Sequence, residues 1–164
     1  MSVASPTLHF LLRRPAHFIA LGFGSGLAPF APGTFGTLVA IPIAAVLHVY
    51  GNDIVFIVVV VLLFALGVWA SDITGRDLGV PDHGSIVIDE VVAFLLVLFF
   101  VGDEPLRQAF AFLLFRVFDI AKPPPIRRLD TTLKNGFGVM LDDLLAAAYT
   151  LFVFAVAVRF TGSS

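Results

Sequence analysis

Residues 54 to 70, IVFIVVVVLLFALGVWA, form a run without a single charged side chain. At about 1.5 Å per residue the run nearly crosses a hydrocarbon core about 30 Å thick. A segment this apolar satisfies its backbone hydrogen bonds within itself, so a membrane helix is predicted here. Four further apolar stretches, roughly 36–50, 86–101, 106–121 and 144–160, are each shorter or charged near one end; the first is expected either to span or to re-enter. The whole composition agrees, with 59% hydrophobic and 13% charged residues and a mean hydropathy of +1.00. The predicted fold is all-α, a small polytopic membrane bundle of about four to five spanning or re-entrant helices, with residues 1–164 as one domain.

Composition also removes whole classes of chemistry. There is no Cys among the 164 residues, which excludes disulfides, thiolate metal ligands and cysteine nucleophiles. A net charge of −2 without a Lys/Arg run gives no general attraction for nucleic acid, and no nucleic-acid partner is expected. Arg13 and Arg14 precede HFIALGFGSGLAPFA, a stretch whose four Gly and Pro residues interrupt the apolar core a secretory signal needs, so it is expected to stay attached.

Lys and Arg give the orientation, because they concentrate in the cytoplasmic loops near spans. With five spans, Arg13, Arg14, Arg76, Lys122, Arg127, Arg128 and Lys134 share one side, and only Arg107 and Arg159 fall on the other. The basic side is read as cytoplasmic. A second pattern then appears that the orientation did not use. Asp89 and Glu90 open the third predicted span, Asp119 closes the fourth, and Asp142 and Asp143 precede the fifth, so five carboxylates share one depth. Asp72, Asp77, Asp82 and His83 are expected in a loop on that side, as is the Gly/Pro-rich segment before the first span.

An ionised Asp at mid-bilayer costs about 2.5 to 3.5 kcal/mol. Three left unpaired would cost about 9 kcal/mol, comparable with the stability of a whole domain. The carboxylates must therefore lie at the interface, be paired, or bind a cation. Oxygen donors without Cys suit a hard ion, and Mg²⁺ is commonly held by one or two carboxylates while a substrate phosphate and waters complete its shell. Lys122, Arg127 and Arg128 follow Asp119 directly and can hold phosphoryl oxygens. Gly22 to Thr37, with five glycines and the hydroxyls of Ser25, Thr34 and Thr37, offers a backbone concavity for an anion. Pro123, Pro124 and Pro125 must stop the fourth helix near Ala121, placing Arg116, Asp119 and Lys122 along one broad face. Each group has a plainer reading: Arg116 with Asp119 as a structural ion pair, Asp89, Glu90, Asp142 and Asp143 as helix-terminal charges, His83 as a solvated loop residue, Arg127 and Arg128 as orientation signals or contacts to anionic lipid.

Four blocks, GFGSGLAPFAPGTFGTL at 22–38, HGSIVIDE at 83–90, FRVFDIAKPPPIR at 115–127 and GFGVMLDD at 136–143, resemble in order and spacing the phosphatidylglycerophosphatase A family of bacterial membrane lipid phosphatases. The family's D-x-x-K-P-x-P-I pattern is matched by Asp119, Lys122, Pro123, Pro125 and Ile126, while Ala121 and Pro124 stand where many relatives carry an aromatic residue. The resemblance implies Mg²⁺-dependent hydrolysis of phosphatidylglycerophosphate to phosphatidylglycerol and phosphate at the cytoplasmic face of the bacterial inner membrane. It implies Asp89, Glu90, Asp119, Asp142 and Asp143 as metal ligands or their close supports, with Asp119, Lys122 and Glu90 catalytic. Gly24, Ser25, Gly26, Thr34, His83, Lys122 and Arg127 are the expected substrate contacts. Direct attack by water and a covalent aspartyl phosphate both remain open routes. The rival from another class is an ion or proton transporter, which would carry ionisable groups along the depth of its spans.

Overall fold

The computed structural model describes residues 5–161, so both extreme termini of the predicted 1–164 domain lie outside the described residues. The described chain is all-helical. Two short helices, α1 (Leu8–Arg13) and α2 (Pro15–Ala20), lead through a 3₁₀ turn (Gly22–Leu27) into α3 (Pro32–Tyr50) and α4 (Asp53–Leu78). Then follow α5 (Ile88–Val101), α6 (Pro105–Ala121), the short α7 (Ile126–Thr132) and α8 (Gly136–Thr161).

Three of these helices, α3, α4 and α8, are long and apolar enough to cross a membrane. The other two are shorter. Fourteen residues give α5 a length of about 21 Å and seventeen give α6 about 25 Å. Both fall short of a hydrocarbon core about 30 Å thick. The reason α5 tolerates this is its position, since it packs against α3, α4, α6 and α8 and buries ten of its fourteen residues. A helix enclosed by protein need not match the lipid, and an apolar helix is as well accommodated in a protein core as in lipid. The Phe94 ring of α5 lies tilted against Phe115 of α6 with centroids 5.5 Å apart, and edge-to-face with Phe112 at 5.9 Å. Outward-facing Val58, Val61, Leu62, Leu66, Leu113, Val117 and Phe152 remain exposed, an apolar girdle that suits lipid rather than water.

The local chemistry explains where each element stops. Asn52 caps α4 by accepting the Val55 N–H at 2.9 Å, and Gly79 ends it at φ 74°, a left-handed position that glycine adopts without a Cβ penalty. Because nothing before Gly79 breaks the helix, α4 continues eight residues past the apolar run. Asp72 and Asp77 therefore lie on α4 rather than in the expected loop, which retains Asp82 and His83. The prolines do stop α6 at Ala121, and Lys122 caps it in the left-handed conformation (φ 42°, ψ 63°).

The start of α8 departs further from expectation. It begins at Gly136, eight residues ahead of the predicted 144, with Asn135 Oδ1 accepting the Gly138 N–H at 2.9 Å. Asp142 and Asp143 are thus two turns inside the helix, and their reading as helix-terminal caps fails. The early start depends on a close approach of backbones, because a Cβ on Gly136 would lie 2.1 Å from the Val68 carbonyl of α4. Gly136→Ala is expected to destabilise the bundle by about 1–3 kcal/mol, the usual range for overpacking. Thermal unfolding in detergent followed by circular dichroism reads this out, and an unchanged transition would contradict the packing.

Candidate active site

Helix direction brings the carboxylates together. The chain enters α5 and α8 and leaves α6 at the same end of the bundle, where Arg116 of α6 donates to Thr37 of α3 at 3.3 Å and Lys122 reaches Asp142 of α8. The opposite end holds the turns around Asn52 and Asp103, where His48 Nε2 lies 3.7 Å from Asp103 Oδ1. Asp89 and Glu90 occupy the first turn of α5. Asp119 is in the last turn of α6.

Two overlapping sets of three carboxylates result. Asp89, Asp142 and Asp143 each offer an oxygen within 4.8 Å of the others, as do Glu90, Asp119 and Asp143. Asp143 belongs to both sets, so one side chain joins them. Asp89, Asp142 and Asp143 are buried at 8%, 3% and 3% exposure, too dry for water to compensate their charge. Among the described residues, two cations enter the cluster. Arg116 Nη1 lies 2.6 Å from Asp119 and 3.7 Å from Glu90, and Lys122 Nζ lies 2.6 Å from Asp142. Five carboxylates against two cations leave three acidic groups in excess.

The excess is visible atom by atom. Among the described residues Asp89 Oδ1, Glu90 Oε2 and Asp143 Oδ2 are buried without a hydrogen-bond partner. Buried acceptors in native proteins are almost always satisfied, and these three belong to the two carboxylate sets. An all-oxygen donor group of this size, dry and short of positive charge, fits a small hard divalent cation. The Arg116–Asp119 pair expected as a structural contact is present, and Arg116 also serves Glu90 and Thr37, so it is part of the cluster.

Other expected site residues are distributed around this centre. Gly33, in the first turn of α3, is pressed against it, since a Cβ there would lie 2.1 Å from Glu90 Oε1 and 3.2 Å from Arg116 Nη1. The Gly/Pro-rich block is where this approach was legible, although Gly33 was not singled out. Thr34 is half-buried beside it. Gly26 packs against the Ser85 carbonyl ahead of α5. Gly24 and Ser25 line a separate cavity of about 520 Å³ with Phe35, Leu38 and Pro42, and Ser25 Oγ donates to the Gly22 carbonyl at 2.8 Å. His83 shapes the turn before α5, its Nδ1 accepting the Ser85 N–H at 3.1 Å. Arg127 is exposed on α7.

The sequence model of phosphatidylglycerophosphatase A matches residues 18–158. A relative from Haemophilus influenzae named phosphatidylglycerophosphatase A is 43% identical over 93% of this chain and 94% of its own length. Another of that name, from Escherichia coli K12, is 39% identical over 82% of this chain and 78% of its own. A Bacteroides thetaiotaomicron relative, 36% identical over 89% of this chain and 97% of its own, bears a provisional name as a phosphatidylinositol-3-phosphatase. No solved structure matches.

Unpaired buried charge strains a fold, and Asp143 is the member shared by both sets. In chelator, Asp143→Asn is therefore expected to melt above the parent protein, because it removes a charge worth about 1–3 kcal/mol of unmet solvation. At about 2–4 °C per kcal/mol, calorimetry resolves the rise. A lower melting temperature would show that the carboxylates are internally satisfied.

Proposed function

The chain belongs to the phosphatidylglycerophosphatase A family, and from that premise we propose that its carboxylate cluster hydrolyses phosphatidylglycerophosphate, with Mg²⁺, at the cytoplasmic face of a bacterial inner membrane. The enzyme is a phosphoric monoester hydrolase of the membrane. The observation that carries the finer reading is the pair of carboxylate sets, joined at Asp143 and short of positive charge, beside Arg116 and Lys122. Location is supported by the basic residues, since Arg13, Arg14, Arg76, Lys122, Arg127, Arg128 and Lys134 all belong to segments at the carboxylate end. Conduction of ions receives no such support, because α4 is uncharged across residues 54–70.

The reaction is the attack of water on phosphorus with loss of the glycerol alkoxide. Asp89, Asp142 and Asp143, together with Glu90 and Asp119, would hold Mg²⁺, which when bound supplies neutralisation of the phosphoryl oxygens. The chain's own groups do the rest. Lys122 sits at the helix end where a headgroup from the near leaflet arrives, and its ammonium orients the phosphate, with Arg127 further out on α7. Arg116 holds Glu90 and Asp119 in place, so the two acids keep their separation as substrate enters. Glu90 Oε2, which has no hydrogen-bond partner among the described residues, accepts a proton from the attacking water, and the proton that the departing alkoxide requires comes from solvent at the interface. Burial of the acids keeps these electrostatic contacts strong.

Phosphate release from phosphatidylglycerophosphate by the purified protein is expected to need Mg²⁺ and to fall about 10²–10³-fold in Asp119→Asn, the size of one lost preorganised contact. Gly33→Ala should cost about 10²-fold by displacing Glu90. Phosphatidylinositol 3-phosphate serves as the comparison substrate. Activity that survives both chelation and Asp119→Asn rejects the metal–carboxylate reading. The absence of Cys also makes orientation measurable. A cysteine placed at Lys134 should react with an impermeant maleimide only in inside-out vesicles, and one at Asn52 only in right-side-out cells.

A further inference from the structure

His17 is fully buried on α2, and both its ring nitrogens face acceptors. Nδ1 lies 2.8 Å from the Phe10 carbonyl of α1, and Nε2 lies 2.8 Å from Asp77 Oδ2 near the end of α4. A carbonyl and a carboxylate only accept, so the ring fills both contacts when each nitrogen carries a proton. Arg14 Nη1 adds a second contact to the same Asp77 oxygen at 3.0 Å, and the Phe10 ring stacks on the imidazole at 3.9 Å. Three segments are thus tied at one point: α1 through Phe10, α2 through His17 and α4 through Asp77.

What this tie holds is the entrance to α5. The carbonyl of Ala20, the last residue of α2, accepts the Val87 N–H at 2.9 Å. Val87 is the N-cap of α5 and has no side-chain cap of its own, and Asp89 and Glu90 follow within two and three residues. Val87 also fills the space above Gly22 and Gly36, where added Cβ atoms would lie 2.6 Å and 2.7 Å from it. A shift of α2 along α4 would therefore carry the first turn of α5 with it.

We propose that His17 and Asp77 are positioning residues for the carboxylate cluster, fixing through α2 and Val87 where Asp89 and Glu90 stand. The proposal rests on the phosphatase reading only in its metal-binding arm. Hydrogen–deuterium exchange on the full chain in detergent tests the mechanical arm directly. Exchange across residues 84–90 is expected to quicken about tenfold in His17→Ala and Asp77→Ala, as a local opening would produce. Asp77→Asn should stay near the parent, because its carboxamide can donate to a neutral imidazole in the same place. His48→Ala, at the far end of the bundle, should leave residues 84–90 unchanged. Titration with Mn²⁺ followed by electron paramagnetic resonance should weaken about tenfold in the two alanine variants, as lost support of metal ligands usually does. If His17→Ala does not fold, the Asp77→Ala and Asp77→Asn pair carries the test. Unchanged exchange at 84–90 in the alanine variants overturns the proposal. A parent protein that binds no Mn²⁺, while exchange still responds to Asp77→Ala, supports the tie and rejects the metal reading instead.

Discussion

Carboxylates are costly to hold out of water, and this protein gathers five of them at the dry end of a helical bundle, with Arg116 and Lys122 as their direct counter-charges among the described residues. Each acid alone would find a cheaper place at the surface. They stay together because each is fixed by an element whose position is decided elsewhere: α5 by burial on all sides, α6 by its proline stop, α8 by its backbone contact with α4. The stability of those elements offsets the strain of the cluster, a division of labour expected where function opposes fold stability.

The short central helix is the key to this arrangement. Because α5 is enclosed by α3, α4, α6 and α8, it need not reach both surfaces of the bilayer, and its acidic first turn is packed inside the bundle. The longer α4 and α8, 26 residues each, extend beyond it. Asp142 and Asp143 meet Asp89 because α8 has already completed nearly two turns at that depth. Small residues make such approaches possible, as Gly33 does for α3 against Glu90, Gly136 for α8 against α4, and Gly67 for α4 against Met140. In a membrane bundle this close fit supplies much of the cohesion that water supplies elsewhere.

Much of this was legible in the chain. The 54–70 run, the triple proline after Ala121 and the bias of Lys and Arg act locally or by position, so pattern alone reads them. The starting point of α8 was not legible, because Lys134 and Asn135 look like loop and the apolar pattern strengthens only later. Packing of Gly136 on Val68 settles that boundary, and with it the reading of Asp142 and Asp143 as interior acids rather than caps. Asp72 and Asp77 were misplaced for the same kind of reason, since a polar helical extension reads as a loop when its partners are unseen. His17 gave no signal at all. An isolated histidine on an apolar helix is informative only once Phe10 and Asp77 are beside it.

By itself the amino-acid order determined that the chain is a helical membrane protein with acids at one end, because hydropathy and charge are properties of segments and need no partner. Only tertiary structure decided that the acids form two sets sharing Asp143, that Arg116 serves Glu90 as well as Asp119, and that Gly33 forms one wall. Those facts depend on distances between residues remote in sequence, which are set by how helices of unequal length pack and not by any residue's own preference.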